Sequence, residues 1–481
     1  MKKPIVWTIA GSDSGGFAGI QADLKTFQLF DVHGCSVITA ITAQNRFDIS
    51  ATYFLPQEFV QAQINTLMND LPPRAIKIGM LGNVSHLFHK KMTGPKIILD
   101  PIISSTSGHA LHEKAFQHHL EKLEKFFPRV DVLTPNIHEA EKILGVTIRS
   151  YADVENAARK FLSSNIKSVL IKGGHFNDSH WAIDYWTDGQ EAFWMSHARY
   201  TKNHFHGTGC TLSSAITAAL GLGYDIKNAI VMGKMLITKA IRESVDDGLS
   251  YTDLPRTTED LPYLSHVPIS EEPKSFPSCG QNSLGLYPVV DSAKWLKKLL
   301  PLGITTIQLR NKNLTGCALE QEIQQAIEIA NAYQARLFIN DYWDLAIKHQ
   351  AYGVHLGQED LQYADINAIH SAGLRLGIST HSYEEVVRAH ALRPSYMAFG
   401  PIFATTSKIM PFAPQGITKL QVFRDLLDYP LVAIGGINHH NLANVLATGV
   451  SGVAMISAIT AAPDPISSTN ELLKLMSEMR S

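Results

Sequence analysis

The segment HFHGTGCTLSSA, residues 204–215, sets Thr-Gly-Cys directly after Gly207 at the mouth of a small-residue helix. Backbone amides of Gly207, Thr208, Gly209 and Cys210 would converge there on an anion, because the first turn of a helix leaves its N–H groups without partners. Cys210 admits three readings: a base, a member of that anion hole, or a small buried residue. Positive partial charge at a helix N-terminus lowers a thiol's pKa, so the spacing predicts thiolate character. Phosphoryl transfer gains most from electrostatic positioning, which ranks the anion-hole reading above proton abstraction.

Four other segments of the first half carry groups that suit the same chemistry. AGSDSGGFAGIQADLKTF, 10–27, is a glycine-rich turn after a strand that then opens a helix bearing Asp23. Such turns let a ligand approach the backbone, although a plain tight turn fits as well, and the spacing matches neither a Walker loop nor a dinucleotide fingerprint. LDP ends a strand with Asp100, and TPNIHEAE sets Asn136 and Glu139 one helical turn apart. Oxygen donors at strand ends suit Mg²⁺, while Asn followed three residues later by Glu is equally a capping box. IKGGH, 171–175, adds Lys172 at the end of a buried strand. Together these supply positioning, a metal and charge stabilisation, the needs of phosphoryl transfer.

The second half clusters a different set. QLRNK carries Gln308, Arg310 and Lys312, which share one side if the strand alternation continues. FINDYWD supplies Asn340 and Asp341, HLGQED supplies Glu359 and Asp360, and GIST supplies Ser379. Two acids at neighbouring strand ends make a Mg²⁺ site, and the nearby cations complement a diphosphate. FGPIFATTSK brings Thr405, Thr406, Ser407 and Lys408; AIGGI and MISA follow with Gly435, Gly436, Ile456 and Ser457. A glycine pair followed by small polar groups at the last two strand ends is a barrel phosphate site.

The elements that must position these groups differ between the halves. Before residue 260, short apolar runs (VWTIAG, CSVITAITAQN, AIKIGML, KIILDP, DVLTPN, SVLIKGGH) alternate with helical patterns. That predicts a doubly wound α/β domain with a parallel sheet, its ligands beyond the carboxyl ends of the strands. Residues 261–283 are rich in Pro, Ser and acids and read as a linker. From 284 to 481, eight strand candidates each lead into a helical pattern (LGLYPVV, TTIQLR, RLFIND, YGVHLG, RLGIS, YMAFG, LVAIGG, GVAMIS), which predicts a (β/α)₈ TIM barrel.

Composition narrows the partners. A net charge of −2 over 481 residues leaves no basic footprint for nucleic acid or an anionic membrane surface, and no apolar run reaches spanning length. The N-terminal apolar run is too short for a signal peptide. Cys35, Cys210, Cys279 and Cys317 show no disulfide or metal spacing, so a reducing, cytoplasmic setting is expected.

Residues 1 to about 260 resemble the hydroxymethylpyrimidine kinase/phosphomethylpyrimidine kinase family of the ribokinase-like fold, with AGSDSGGFAGIQADLKTF, KIGML, LDP, TPN, IKGGH and HGTGC in order. The resemblance implies ATP-dependent phosphorylation of hydroxymethylpyrimidine and then of its monophosphate. It makes Gln44 the aminopyrimidine partner, helped by Gly11, Asp23 and Met80. Asn136 and Glu139 then serve Mg·ATP, Lys172 the phosphates, and Gly207 to Cys210 the anion hole. A pyridoxal kinase shares the fold and the GTGC turn; Gln44 and the AGSDSGG start favour the pyrimidine.

Residues 284 to about 462 resemble thiamine-phosphate synthase, which joins the pyrimidine diphosphate to thiazole phosphate and releases pyrophosphate. The resemblance implies that Gln308, Arg310, Lys312, Asn340, Ser379 and Lys408 hold the pyrimidine diphosphate, with Lys408 also acting in the chemistry. Asp341 and Asp360 take Mg²⁺, and Thr405, Thr406, Ser407, Gly435, Gly436, Ile456 and Ser457 hold the thiazole phosphate. It also implies a homo-oligomer. The sixth loop departs from the family: ATTSKIMPFAPQG lacks the expected Pro-Thr-x-Thr-Lys start, and Ile409, Met410 and Phe412 make it unusually apolar. Two alternatives keep the kinase but make the barrel a thiazole tautomerase-like relative or a ligand-sensing module. Retention of Lys312, Asp341, Asp360 and Lys408 argues against both.

Overall fold

The computed structural model describes residues 2–80, 94–102, 123–124, 126–174, 180–200, 206–245, 248–280, 283–405 and 413–479. The chain forms two compact units, one of residues 1–255 with 260–272, the other of 256–259 with 273–481.

The first unit is built on one sheet. Its strands are β1 (Ile5–Asp13), β2 (His33–Gln44), β3 (Ile49–Phe54), β4 (Ala75–Ile78), β5 (Lys96–Leu99), β6 (Val132–Leu133), β7 (Val169–Ile171), β8 (Trp181–Thr187), β9 (Ala192–Ala198) and β10 (Tyr263–Ser265), in the order 10-9-8-7-6-5-4-1-2-3. The run from β7 to β2 is parallel, as the six apolar segments predict. Both ends of the sheet turn antiparallel, which the sequence reading did not anticipate. Helices α1 (Gly19–Leu29), α2 (Gln57–Asp70), α3 (Ile137–Leu144) and α4 (Tyr151–Ser163) accompany them, with α5 (Thr208–Gly221) and α6 (Ile226–Arg242) after β9. Every residue of α5 from Cys210 to Gly221 is buried. A helix of small, mostly apolar residues suits the interior, and α5 packs on α1, α6, β4 and β5.

The second unit is a closed barrel of eight parallel strands: β11 (Gly285–Val290), β12 (Thr306–Leu309), β13 (Arg336–Asn340), β14 (Gly353–Leu356), β15 (Arg375–Thr380), β16 (Tyr396–Phe399), β17 (Leu431–Ile434) and β18 (Gly452–Met455). Each falls on one of the eight expected segments. Its interior is a packed aromatic core of Tyr287, Phe338 and Tyr396, with ring centroids 5.0–6.0 Å apart. Glycines on the neighbouring strands make room for the rings.

Within the segment read as a linker, 261–283, the described residues make specific contacts although only three of them form a strand. Tyr263–Ser265 adds the last strand to the sheet against Trp194–Ser196. Beyond it, Phe276 donates its N–H to the Arg393 carbonyl, Ser395 donates to the Pro277 carbonyl, and buried Cys279 joins the barrel core. Its prolines remove backbone donors without preventing side chains such as Phe276 from being buried, so composition understated its packing.

The barrel core gives a direct test. A Cβ on Gly377 would lie 2.2–2.4 Å from the fully buried Tyr396 ring. Gly377→Ala should therefore destabilise the barrel by about 1–3 kcal/mol through overpacking, read as a lower urea midpoint by tryptophan fluorescence. An unchanged midpoint would refute the tight packing.

Candidate functional site

Two sites emerge, one at the carboxyl ends of the strands in each unit. In the first, the β1–α1 turn is ordered by Asp13, whose carboxylate accepts the amides of Gly15 (2.8 Å), Phe17 (3.0 Å) and Ala18 (2.8 Å). That turn forms one wall of a cavity of about 720 Å³. Gly11, Gln44, Met80, Asn136, Glu139, Lys172 and Gly207 to Cys210 all line it. Residues from six separated segments thus share one cavity.

Gly207 caps α5 at φ 81°, and a Cβ there would meet the Phe17 carbonyl at 2.0 Å. Only glycine combines that conformation with that approach, so the HGTGC turn closes directly onto the first glycine-rich turn. Two residues on, a Cβ at Gly209 would stand 3.1 Å from Lys172 Nζ and 3.4 Å from Asp100 Oδ2. Lys172 Nζ donates to Asp100 Oδ1 at 2.9 Å, and Ser213 donates to Asp100 Oδ2 at 3.2 Å. Burial opposes both charges, yet Lys172 with Lys77 holds Asp100 below the usual carboxylate range, and Asp100 with Glu139 holds Lys172 above its ordinary value.

Asn136 and Glu139 form the capping box of α3, the Glu139 amide donating to Asn136 Oδ1 and the Asn136 amide to Glu139 Oε2, both at 2.8 Å. Both residues also line the cavity, so the capping and binding readings coexist. Burial pushes the Glu139 carboxyl up to about 7, against the pull of Lys172.

Two expectations need correction. Asp23 does not line the cavity. It is fully buried and accepts both bonds of Lys77 Nζ (2.9 Å each), one from Thr8 Oγ1 (2.5 Å) and one from Ser214 Oγ (2.7 Å). With those donors its carboxylate serves the framework beneath the cavity. Cys210, in turn, is no thiolate: burial pushes its thiol up to about 11, outweighing the help of Lys77 and of the Gly19 amide, while Asp23 and Asp100 add to the rise. Sequence reasoning also missed Asp184 and Lys234. They pair at 2.7 Å in the cavity wall, and Asp184 accepts the Gly173 amide at 2.9 Å. A lysine deep in a helical pattern reads as a surface cation, so no sequence signal marked it.

In the barrel, strand β12 ends at Leu309, so the alternation of Gln308, Arg310 and Lys312 is cut short. Gln308 stays buried beside Tyr287, Arg310 stands at the strand end, and Lys312 reaches Asp341 from the loop as an ion pair. Asp341 sits at φ 67°, a left-handed conformation uncommon for a side chain other than glycine. It neighbours Asp360, whose carboxyl is raised by burial first and by the Asp341 charge second. Two mutually repelling carboxylates at adjacent strand ends fit Mg²⁺, which takes few protein ligands and fills its shell with water and phosphate oxygens. Among the described residues no cluster of three or more His, Cys, Asp or Glu forms a metal cage.

Asn340 is buried at the end of β13, and Ser379 Oγ is 2.8 Å from His355 Nε2. Burial pushes the His355 imidazole down to about 4, so the ring is neutral. Among the described residues the buried Gln358 Oε1 has no partner, while its Nε2 donates to the Ser379 carbonyl at 2.8 Å. Gly435 and Gly436 both take positive φ, and the loop after β16 locks onto them through Phe403 N–H to Gly435 O at 3.0 Å. Thr405 is half-buried nearby in sequence, and Ile456 and Ser457 open a short helix after β18. Thr406, Ser407, Lys408 and the apolar Ile409, Met410 and Phe412 lie outside the described residues.

Comparison with known proteins agrees with this division. Residues 13–253 match the phosphomethylpyrimidine kinase family and residues 286–459 the thiamine monophosphate synthase family. A probable thiamine biosynthetic bifunctional enzyme, chloroplastic, of Oryza sativa subsp. japonica is 32% identical over 99% of this chain and 89% of its own. A thiamine-phosphate synthase of Photorhabdus laumondii is 58% identical over 41% of this chain and 91% of its own. A crystal structure of phosphomethylpyrimidine kinase from Clostridium difficile 630 aligns at 39% identity with a TM-score of 0.44, covering 50% of this chain and 100% of its own. Among the described residues no helix is long and apolar enough to cross a membrane.

The buried Asp23–Lys77 pair yields a stability test. Asp23→Ala leaves the Lys77 ammonium buried without its counter-charge and should cost about 3–5 kcal/mol in urea unfolding. Replacing both partners with Leu and Met should recover much of that loss. A double variant as unstable as the single one would refute charge burial as the cause.

Proposed function

We propose, for a chain that belongs to the phosphomethylpyrimidine kinase family over its first half and to the thiamine monophosphate synthase family over its second, that each site found above performs its family's reaction in sequence. The carrying observation is the single cavity that gathers Gln44, Glu139, Lys172 and the HGTGC turn from separate motifs. In the kinase unit Gln44 pairs with the aminopyrimidine, since an amide offers a donor and an acceptor together. Gly11 and Met80 complete that end. ATP lies toward Asn136 and Glu139, and its γ-phosphoryl group sits between Lys172 and the amides of Thr208, Gly209 and Cys210. Transfer breaks the bond from the terminal phosphorus to the bridging oxygen and forms a bond to the hydroxymethyl oxygen, whose proton passes to an oxygen of the transferred phosphoryl group. In the second round the acceptor is an oxygen of the pyrimidine monophosphate. A neutral thiol at Cys210 favours its anion-hole role over that of a base.

In the synthase unit Gln308, Arg310, Lys312, Asn340 and Ser379 hold the diphosphate, and Asp341 with Asp360 would hold Mg²⁺, which neutralises the leaving pyrophosphate when bound. The thiazole phosphate lies toward Thr405, Gly435, Gly436, Ile456 and Ser457, completed by Thr406 and Ser407, while Lys408 joins the groups on the pyrimidine diphosphate. The methylene carbon loses its bond to the diphosphate oxygen and gains one to the thiazole nitrogen. The buried, unpartnered Gln358 Oε1 supports this reading, because a ligand amino group would satisfy it. The four free cysteines suit a reducing compartment such as the cytoplasm.

Full-length protein given hydroxymethylpyrimidine, Mg·ATP and thiazole phosphate should form thiamine phosphate. Asp341→Asn with Asp360→Asn should abolish that product while the pyrimidine diphosphate still accumulates. Product formation undiminished in the double variant would defeat the metal assignment. Cys210→Ser should keep kinase kcat within about tenfold of the parent, because backbone amides carry the anion hole; a collapse by several orders of magnitude would reinstate the cysteine as base.

A further inference from the structure

A continuous chain of hydrogen bonds crosses the barrel interior and ends at Ser379. Gln308 Nε2 donates to Tyr287 Oη at 3.4 Å, and Tyr287 Oη lies 2.8 Å from Tyr396 Oη. Tyr396 Oη is 2.7 Å from His355 Nδ1, and His355 Nε2 is 2.8 Å from Ser379 Oγ. Both tyrosines are almost wholly buried, so each phenol proton must find its acceptor inside this chain. The amide nitrogen at one end can only donate, and that fixes the direction of every bond beyond it. Tyr287 O–H then donates to Tyr396, Tyr396 O–H to Nδ1, and the ring carries its proton on Nε2 and donates it to Ser379. In the opposite direction the Tyr287 proton would face the Gln308 N–H and go unsatisfied.

We propose that Tyr396 is a positioning residue for the synthase reaction: it fixes the His355 tautomer so that Ser379 receives a proton from the ring and turns its own O–H toward the diphosphate. The side chain of Ser379 has no other hydrogen bond among the described residues, and the residue is half-buried at the end of β15. If Nδ1 loses the phenol, the ring is free to take the other tautomer. Ser379 would then donate to Nε2 and present only lone pairs to an anion. The proposal rests on the reading that Ser379 contacts the diphosphate.

The test is a double-mutant cycle on the full-length chain, supplied directly with pyrimidine diphosphate and thiazole phosphate. Tyr396→Phe should lower kcat/KM by roughly tenfold to a hundredfold, the range for losing one hydrogen bond to a charged group. In a Ser379→Ala background the same change should cost less than about twofold, because the donor it orients is gone. Equal losses in both backgrounds would overturn the relay and leave Tyr396 as packing alone. An unchanged kcat/KM in Ser379→Ala by itself would instead overturn the diphosphate reading beneath it. A second readout comes from the parent protein: ¹⁵N-histidine spectra should record His355, identified by its loss in folded His355→Asn, as the Nε2–H tautomer. The Nδ1–H tautomer would overturn the proposal.

Discussion

Two lysine–aspartate pairs buried under one helix hold the first unit's site in place. Asp23 and Asp100 accept hydrogen bonds from Ser214 and Ser213, adjacent residues of α5, while Lys77 and Lys172 neutralise them from the neighbouring strands. Moving charge into the interior is costly, and only a geometry that satisfies each oxygen makes it tolerable. That requirement fixes the rotation and depth of α5, and with them where its first-turn amides point. A looser helix would still bury its alanines and leucines but would not present Thr208 to Cys210 to a phosphate.

The two pairs divide the labour by exposure. Asp23 and Lys77 are sealed, so their whole effect is on the framework. Lys172 keeps a fraction of its side chain open and lines the cavity, so the same kind of pair also offers a cation to a ligand. The barrel's equivalent pair, Lys312 with Asp341, is much more exposed and more easily exchanged for other partners. On the function proposed above, the barrel site would have to reorganise around its ligands, whereas the kinase site is already set.

The strands were the most legible part of the sequence. All eight barrel segments and the six parallel strands of the sheet are continuous apolar runs, because both faces of a parallel sheet are covered. Strands β3, β8, β9 and β10 escaped notice because edge and antiparallel strands carry mixed polarity, as the exposed ISATYF of β3 does. Of the site, position was legible and electrostatics was not. Nearly every kinase residue singled out from its motif lines the cavity, yet Asp23 turned inward because its partners Lys77, Thr8 and Ser214 lie up to 191 positions away. No local pattern encodes such a contact. Cys210 illustrates the same gap: its helix position predicts a lowered pKa, but depth decides the sign, and depth is a property of the packed fold.

The barrel interior shows the converse, in which polar residues read as packing. Tyr287 and Tyr396 lie in strands whose composition predicts only core, and their rings do fill it against Phe338. A core phenol nevertheless brings a proton that must be placed, and His355, Gln308 and Ser379 are the groups within reach. Once a barrel closes around two tyrosines, satisfying them runs a polar thread from the core toward the strand ends where the ligands bind. Stability and recognition then share the same atoms, so a hydroxyl in the core and a hydroxyl at the site cannot be changed independently.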